Sequence, residues 1–244
     1  MRTSSISWGT FRPLISWAGA LGPASLAAFI VVGCALASAV SVGAAVPAGA
    51  RAQSKASAAT RPRIVFLGDS LTAGYGLARN QSVPSLIQGR LDSGGYRYEV
   101  VNAGVSGDTS AGGLSRLDWS LSGDVQILVV ELGANDGLRG LPVAAMKNNL
   151  DQIIQRARQR GITVLLTGME APPNYGAVYT REFRQVFRDL AQTHKVAFIP
   201  FFLEGVAGNP SLNIADGIHP NPAGARIVEA TVWRALQPLL AKPR

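Results

Sequence analysis

The sequence predicts an α/β protein, a three-layer α/β/α arrangement around a five-stranded parallel sheet. Two observations carry that expectation. From residue 61 onward, apolar strand-like runs alternate five times with longer amphipathic stretches. Those runs are apolar at consecutive positions, as strands buried on both faces of a sheet require. The run that organises the rest is Ile64-Val65-Phe66-Leu67, which stops at Gly68-Asp69-Ser70. A small polar trio at that point sets a hydroxyl at the carboxyl end of a strand, where open α/β sheets place their ligands. The same trio also suits an ordinary turn whose Asp or Ser caps the next helix. Later segments decide between the two.

The first part of the chain is of another kind. Arg2 and Arg12 precede a stretch, Pro13 to Ala50, that carries no charge and is rich in Ala, Val, Leu and Gly. Ala50-Arg51-Ala52 fits an A-x-A cleavage signal, with Val42-Gly43-Ala44 as a weaker site, so residues 1–52 read as a secretory signal and the protein is expected outside the cytoplasm. The uncharged run is also long enough for a retained membrane anchor; Pro23, Pro47 and scattered Gly argue for the processed segment. Val31-Val32-Gly33-Cys34 is similar to a lipobox that would lipidate Cys34, although apolar residues follow where a tether is usually polar. Cys34 is the only cysteine, so the remainder contains neither a disulfide nor a thiol nucleophile.

Residues 53–60 form a polar, Ala-rich linker, and residues 61–244 are long enough for one domain with its own core. The formal charge is +8, and three of the arginines (Arg2, Arg12, Arg51) lie in the leader. Elsewhere Arg is interleaved with acids, as in Arg181-Glu182-Phe183-Arg184 and Arg188-Asp189. Without a basic block or interleaved aromatics, a nucleic-acid partner is not expected. The basic balance is compatible with peripheral contact to an anionic membrane, and a monomer is expected.

Taken in order, the expected strands are Ile64–Leu67, Tyr98–Asn102, Val125–Leu132, Thr163–Thr167 and Val196–Pro200. The expected helices are Val83–Asp92, Ala111–Trp119, Pro142–Gln159, Arg181–Thr193 and Ala223–Leu240. Pro142 and Gly161 fit the preference for Pro at the start of a helix and Gly just past its end. Strand ends are unusually polar: the second ends in Asn102 to Thr109, the third in Glu131 to Gly137, and Asp216-Gly217-Ile218-His219-Pro220 comes near the carboxyl terminus. A parallel sheet gathers all such turns at one edge.

A serine nucleophile needs a base within hydrogen-bond reach and a group that orients the base. Of the two histidines, His194 in Thr193-His194-Lys195 reads as a solvated helix-end residue. His219 stands three residues after Asp216, in a turn bent by Gly217 and closed by Pro220. That spacing lets one turn set a carboxylate against Nδ1 while Nε2 faces the serine. Acyl transfer also needs donors aimed at the developing oxyanion. The Ser70 N–H, the Gly104 N–H and the Asn135 amide are the candidates, and a flavodoxin-like strand order would place the last two beside Ser70. A plain turn glycine and an Asx turn are the ordinary readings of Gly104 and Asn135. Asp69 and Asp136 read as turn-fixing acceptors. Two distant histidines and no thiol make a poor ligand set, so neither metal nor cofactor is expected.

Gly68-Asp69-Ser70-Leu71, Gly104, Gly133-Ala134-Asn135-Asp136 and Asp216-Gly217-Ile218-His219-Pro220 resemble, in order, the four blocks of the SGNH (GDSL) hydrolases. Asn102–Thr109, Glu131–Gly140 and Asn174-Tyr175-Gly176 are similar to a bacterial subgroup, the thioesterase I / lysophospholipase L1 / arylesterase enzymes. The resemblance runs over essentially all of residues 61–244 and implies an SGNH hydrolase catalytic domain. It implies Ser70 as nucleophile, Gly104 and Asn135 completing the oxyanion hole with Ser70, and His219 with Asp216 as the base pair. Ala134 stands where relatives often have Gly, a methyl that is expected to be tolerated. No Gly-x-Ser-x-Gly elbow occurs, which argues against the α/β-hydrolase fold.

The expected activity is therefore a metal-independent serine esterase acting on small-molecule or lipid acyl esters, including aryl esters, lysophospholipids and thioesters. Leu138, Leu141, Pro172 and Pro173 would line an acyl site, and Leu138, Pro172 and Tyr175 are the expected substrate contacts. A carbohydrate O-deacetylase is the alternative within the enzymes, though no aromatic sugar platform accompanies the blocks. A non-catalytic module of the same fold would have lost Ser70, Asn135 or His219, and all three are present.

Overall fold

The computed structural model describes residues 61–241. The expected signal segment, with Cys34, and the linker at 53–60 lie outside the described residues. Five strands form one parallel sheet: β1 (Arg63–Gly68), β2 (Glu99–Gly104), β3 (Val125–Glu131), β4 (Thr163–Thr167) and β5 (Ala197–Ile199). Their order is β2-β1-β3-β4-β5. The first crossover leaves β1 in one direction and all later ones run in the other, so β1 sits at the switch point. Ile64, Val65, Phe66 and Leu67 are each 1% exposed or less, as the unbroken apolar run requires.

Right-handed crossovers place the helices on opposite faces. α2 (Val83–Ser93) packs with α8 (Pro222–Leu236) on one side. On the other, α6 (Val143–Gln159) packs against α3 (Ser110–Ser115) and α7 (Ala177–His194). Two short helices missing from the sequence expectations, α1 (Ser70–Ala73) and α5 (Ala134–Leu138), start at the carboxyl ends of β1 and β3.

The helix expected over Ala111–Trp119 is broken at Arg116, and α4 (Leu117–Ser120) follows the break. The break lets the guanidinium turn back onto the sheet edge. Arg116 Nε donates to Asp108 Oδ2 (2.6 Å), Nη1 to the Ala103 carbonyl (2.6 Å) and Nη2 to the Gly68 carbonyl (2.8 Å). One side chain thus ties the ends of β1 and β2 to the loop between β2 and α3. α8 stops at Leu236, and a 3₁₀ turn over Gln237–Leu239, containing Pro238, replaces its expected last turn.

His194 also departs from its reading as a solvated residue. It ends α7 but is only 7% exposed, and its Nε2 lies 2.6 Å from Asp151 Oδ1 on α6. A carboxylate only accepts, so Nε2 carries the proton. The pair forms because α6 and α7 are neighbours on one face of the sheet, which the local sequence around His194 does not announce. Replacing it by Ala should cost about 1–2 kcal/mol and lower Tm by about 2–4 °C per kcal/mol, with kcat unaffected. An unchanged Tm in His194→Ala would return the residue to the solvated class.

Candidate active site

Ser70 is the first residue of α1, so its N–H has no acceptor within the helix. Asp69 caps that helix through Oδ1, which accepts the Leu71 N–H at 3.0 Å. The chain therefore leaves the buried strand, turns at Gly68-Asp69 and presents the Ser70 hydroxyl at the sheet edge.

His219 reaches the same point from the far end of the sequence. An antiparallel bridge pairs Asn213 with Pro220, and the Ile214 N–H donates to the His219 carbonyl at 2.8 Å. Asn221 then caps α8 by accepting the N–H groups of Ala223 and Gly224. Held at both ends, the loop sets His219 Nε2 2.8 Å from Ser70 Oγ and Nδ1 2.6 Å from Asp216 Oδ2. Asp216 Oδ1 accepts the N–H groups of Ile218 (3.0 Å) and His219 (3.1 Å). With a carboxylate at Nδ1, the proton of the neutral ring is on Nδ1 and Nε2 is free to accept from the serine. Burial pushes the Asp216 carboxyl up, but the hydrogen bond from His219, the two N–H groups and the imidazolium charge outweigh it, and the net shift is downward. Asp216 is an anion at neutral pH. Tyr75, not singled out by sequence reasoning, lies against the imidazole with ring centroids 4.7 Å apart.

Asn135 stands in the first turn of α5, and its Nδ2 donates to Asp69 Oδ2 at 3.0 Å. The amide has a second N–H left for a ligand. Asp136 accepts both the N–H (2.7 Å) and the hydroxyl (2.6 Å) of Ser110, so Asp69 and Asp136 are the acceptors their sequence context suggested.

The expectation for Gly104 needs correcting. Its N–H donates to Asn102 Oδ1 at 3.0 Å, while Asn102 Nδ2 donates to the Thr72 carbonyl at 3.0 Å. A Cβ placed on Gly104 would stand 2.2 Å from the Ala73 nitrogen. Gly104 is thus a close-approach glycine that lets β2 lie against α1, and its amide is occupied. In the same block, the Gly107 N–H makes no hydrogen bond among the described residues, and its carbonyl accepts Arg139 Nη2 at 2.8 Å just beyond α5.

A cleft of about 310 Å³ opens over Ser70, Asn135 and His219, walled by Leu138, Met169, Ala171, Pro172, Phe201 and Leu203. Leu138 and Pro172 are where substrate contacts were expected. Tyr175, Leu141 and Pro173 are not in the wall. The Tyr175 hydroxyl donates to the Leu138 carbonyl at 2.9 Å, and its ring fills the space over Gly140, so it supports the wall from behind.

The chain matches the GDSL-like lipase/acylhydrolase family over residues 66–227. Esterase TesA of Pseudomonas aeruginosa is 48% identical over 178 residues, spanning 72% of this chain and 89% of that protein. Thioesterase 1/protease 1/lysophospholipase L1 of Escherichia coli (strain K12) is 37% identical over 184 residues, spanning 75% and 87%. The crystal structure of TesA superposes with a TM-score of 0.70 at 46% identity, over 73% of this chain and 99% of that one. With its blocks in this order on this sheet, the chain belongs to the GDSL-like lipase/acylhydrolase family and is a carboxylic ester hydrolase.

Proposed function

We propose that Ser70 is the nucleophile, His219 the general base and Asp216 its orienter, and that acyl esters are hydrolysed through an acyl-enzyme. The observation that carries this reading is the unbroken hydrogen-bond chain from Asp216 through His219 to Ser70, at 2.6 and 2.8 Å, on the floor of an apolar cleft. As Ser70 Oγ bonds to the acyl carbon, its proton passes to His219 Nε2, and the imidazolium so formed is stabilised by Asp216. The carbonyl oxygen becomes an oxyanion facing the Ser70 N–H and the free N–H of Asn135. The Gly107 N–H, unpartnered where that of Gly104 is occupied, is the third donor. Collapse of the tetrahedral intermediate returns the proton from His219 to the leaving alcohol, phenol or thiol. Water, deprotonated by the same His219, then adds to the acyl carbon, and His219 returns that proton to Ser70 Oγ as the acid leaves.

Acyl chains suit the cleft because its walls are aliphatic, with Phe201 the aromatic among the six named above. Aryl esters, lysophospholipids and acyl thioesters share this acyl half, and the names of the relatives point to the same classes. An enzyme acting outside the cytoplasm is supported by the composition of residues 1–52, and mass spectrometry should find a mature protein beginning near Gln53. An intact Met1 terminus, or lipid on Cys34, would refute that processing.

Ser70→Ala should fold normally and lose at least about three orders of magnitude in turnover; Asn135→Ala should lower kcat by about 10²–10³ with little change in KM. Near-wild-type hydrolysis by purified Ser70→Ala would sink the serine mechanism. Along p-nitrophenyl esters from acetate upward, each buried methylene is worth about 0.8 kcal/mol, so kcat/KM should climb about fourfold per added carbon until the cleft is filled. A maximum at acetate would favour the O-deacetylase reading instead.

A further inference from the structure

Beneath the Gly68-Asp69-Ser70 turn lies an acid that ester hydrolysis does not itself call for. Glu131 ends β3, pairs in register with Gly68 and is 0% exposed. Its Oε2 accepts the Thr72 hydroxyl at 2.8 Å and the Asp69 N–H at 3.3 Å, while Oε1 has no partner. Among the described residues no Lys or Arg forms an ion pair with it. An unpaired anion there is unfavourable, and a carboxylate with one oxygen orphaned is more so. A neutral acid removes both difficulties, because it keeps an acceptor for Thr72 and gains an O–H to donate.

The carboxylate that such an O–H would meet is that of Asp69, whose own N–H already donates to Glu131 Oε2. Burial, reinforced by the Asp69 charge, holds the Glu131 carboxyl well above the usual range. Burial also pushes Asp69 up to about 6, against the Leu71 N–H, the Glu131 side chain, the Asn135 amide and the His219 charge, all of which favour its anion. Asp69 is thus the member that carries the charge at neutral pH, and Glu131 keeps the proton. Asp69 in turn holds Asn135 Nδ2 and the first turn of α1. A Cβ on Gly68 would stand 2.0 Å from Thr72 Oγ1 and 2.7 Å from Glu131 Oε2. Glycine at this position is what admits the acid.

We propose that Glu131 is a positioning residue, a neutral hydrogen-bond donor that acts through Asp69 to fix the Asn135 amide and the start of α1 for the oxyanion. This rests on the roles of Ser70 and Asn135 proposed above.

Glu131→Gln keeps a donor and an acceptor in the same shape; Glu131→Met keeps much of the volume and removes both. The Gln variant should hold kcat within about threefold of wild type. The Met variant should lose about tenfold to a hundredfold in kcat, as a small misplacement of catalytic groups does, with KM within about twofold. Should the Met variant not fold, Glu131→Gln still decides, together with the infrared difference spectrum between wild type and Glu131→Gln at neutral pH. That spectrum should contain the carbonyl stretch of one protonated carboxyl in the wild type. Full activity in the Met variant, loss in the Gln variant as deep as in Met, or absence of that band would each overturn the proposal. The infrared readout needs no turnover, so it separates this inference from the serine reading. An active Ser70→Ala protein would remove the mechanism, whereas an inactive Ser70→Ala beside an unimpaired Glu131→Met would remove only the role of Glu131.

Discussion

The register that sets Gly68 opposite Glu131 determines where the other groups at this edge can stand. Because β1 is buried on both faces, its carboxyl end cannot shift without dragging Ile64 to Leu67 through the core. From that fixed end the chain must turn within two residues, over a carboxyl it cannot displace. The Asp69 N–H then donates to Glu131, its carboxylate accepts from Asn135, and Ser70 begins α1. Asn102 and Arg116 secure the neighbouring backbone by bonding the carbonyls of Thr72, Ala103 and Gly68. The serine is thus held on rigid elements rather than on a free loop.

This arrangement opposes stability. Two carboxyls sharing a buried site is an unfavourable choice for folding alone, and replacing such groups by apolar ones of like volume is often neutral or stabilising. The surrounding apolar layers, with Phe183, Phe187 and Leu132 at 0–1% exposure, supply the burial that offsets it. Local disagreement with the rules of a good core is expected where a site needs preorganised groups. Sequence reasoning passed over Glu131 because a Glu ending an apolar strand looks like the first polar residue of a loop. Only the register shows it facing inward.

Other residues follow the same division. The sheet was legible because five apolar runs are long enough for their pattern to be unambiguous, and the observed strands differ from the expected ones by at most two residues at either end. Ser70, Asn135, Asp216 and His219 were legible because each sits in a short polar block at a strand end or turn, and the structure brings the four together. α1 and α5 were not, since four and five residues carry no helical period, and the Gly and Asp just before α1 and the Asn, Asp and Gly within α5 read as turn chemistry. Gly104 was misassigned for a related reason. A glycine allows close approach of something, but its neighbours in space, here the backbone of Ala73, decide what that is. Tyr175 and His194 likewise took their partners from α5 and α6, far away in sequence.

The acids of the site respond to pH in opposite senses, and this follows from where each one lies. Asp216, near the surface and met by three donors, is held below its ordinary range. Its contribution to stability is present above the unfolded value of about 3.9 and is lost as pH falls through the lower folded value. Asp69 is the reverse case, since the folded chain holds its proton up to about 6. Between about 4 and 6 the folded state binds more protons than the unfolded one there, so stability falls as pH rises through that window. Above it, the ionised Asp69 remains a standing cost, and it is in that ionised form that Asp69 accepts from both Asn135 and α1. Two carboxyls whose surroundings push them apart suit different roles: in the proposed mechanism the exposed one would steady the imidazolium formed during turnover, and the buried one would hold still the donors that meet the oxyanion.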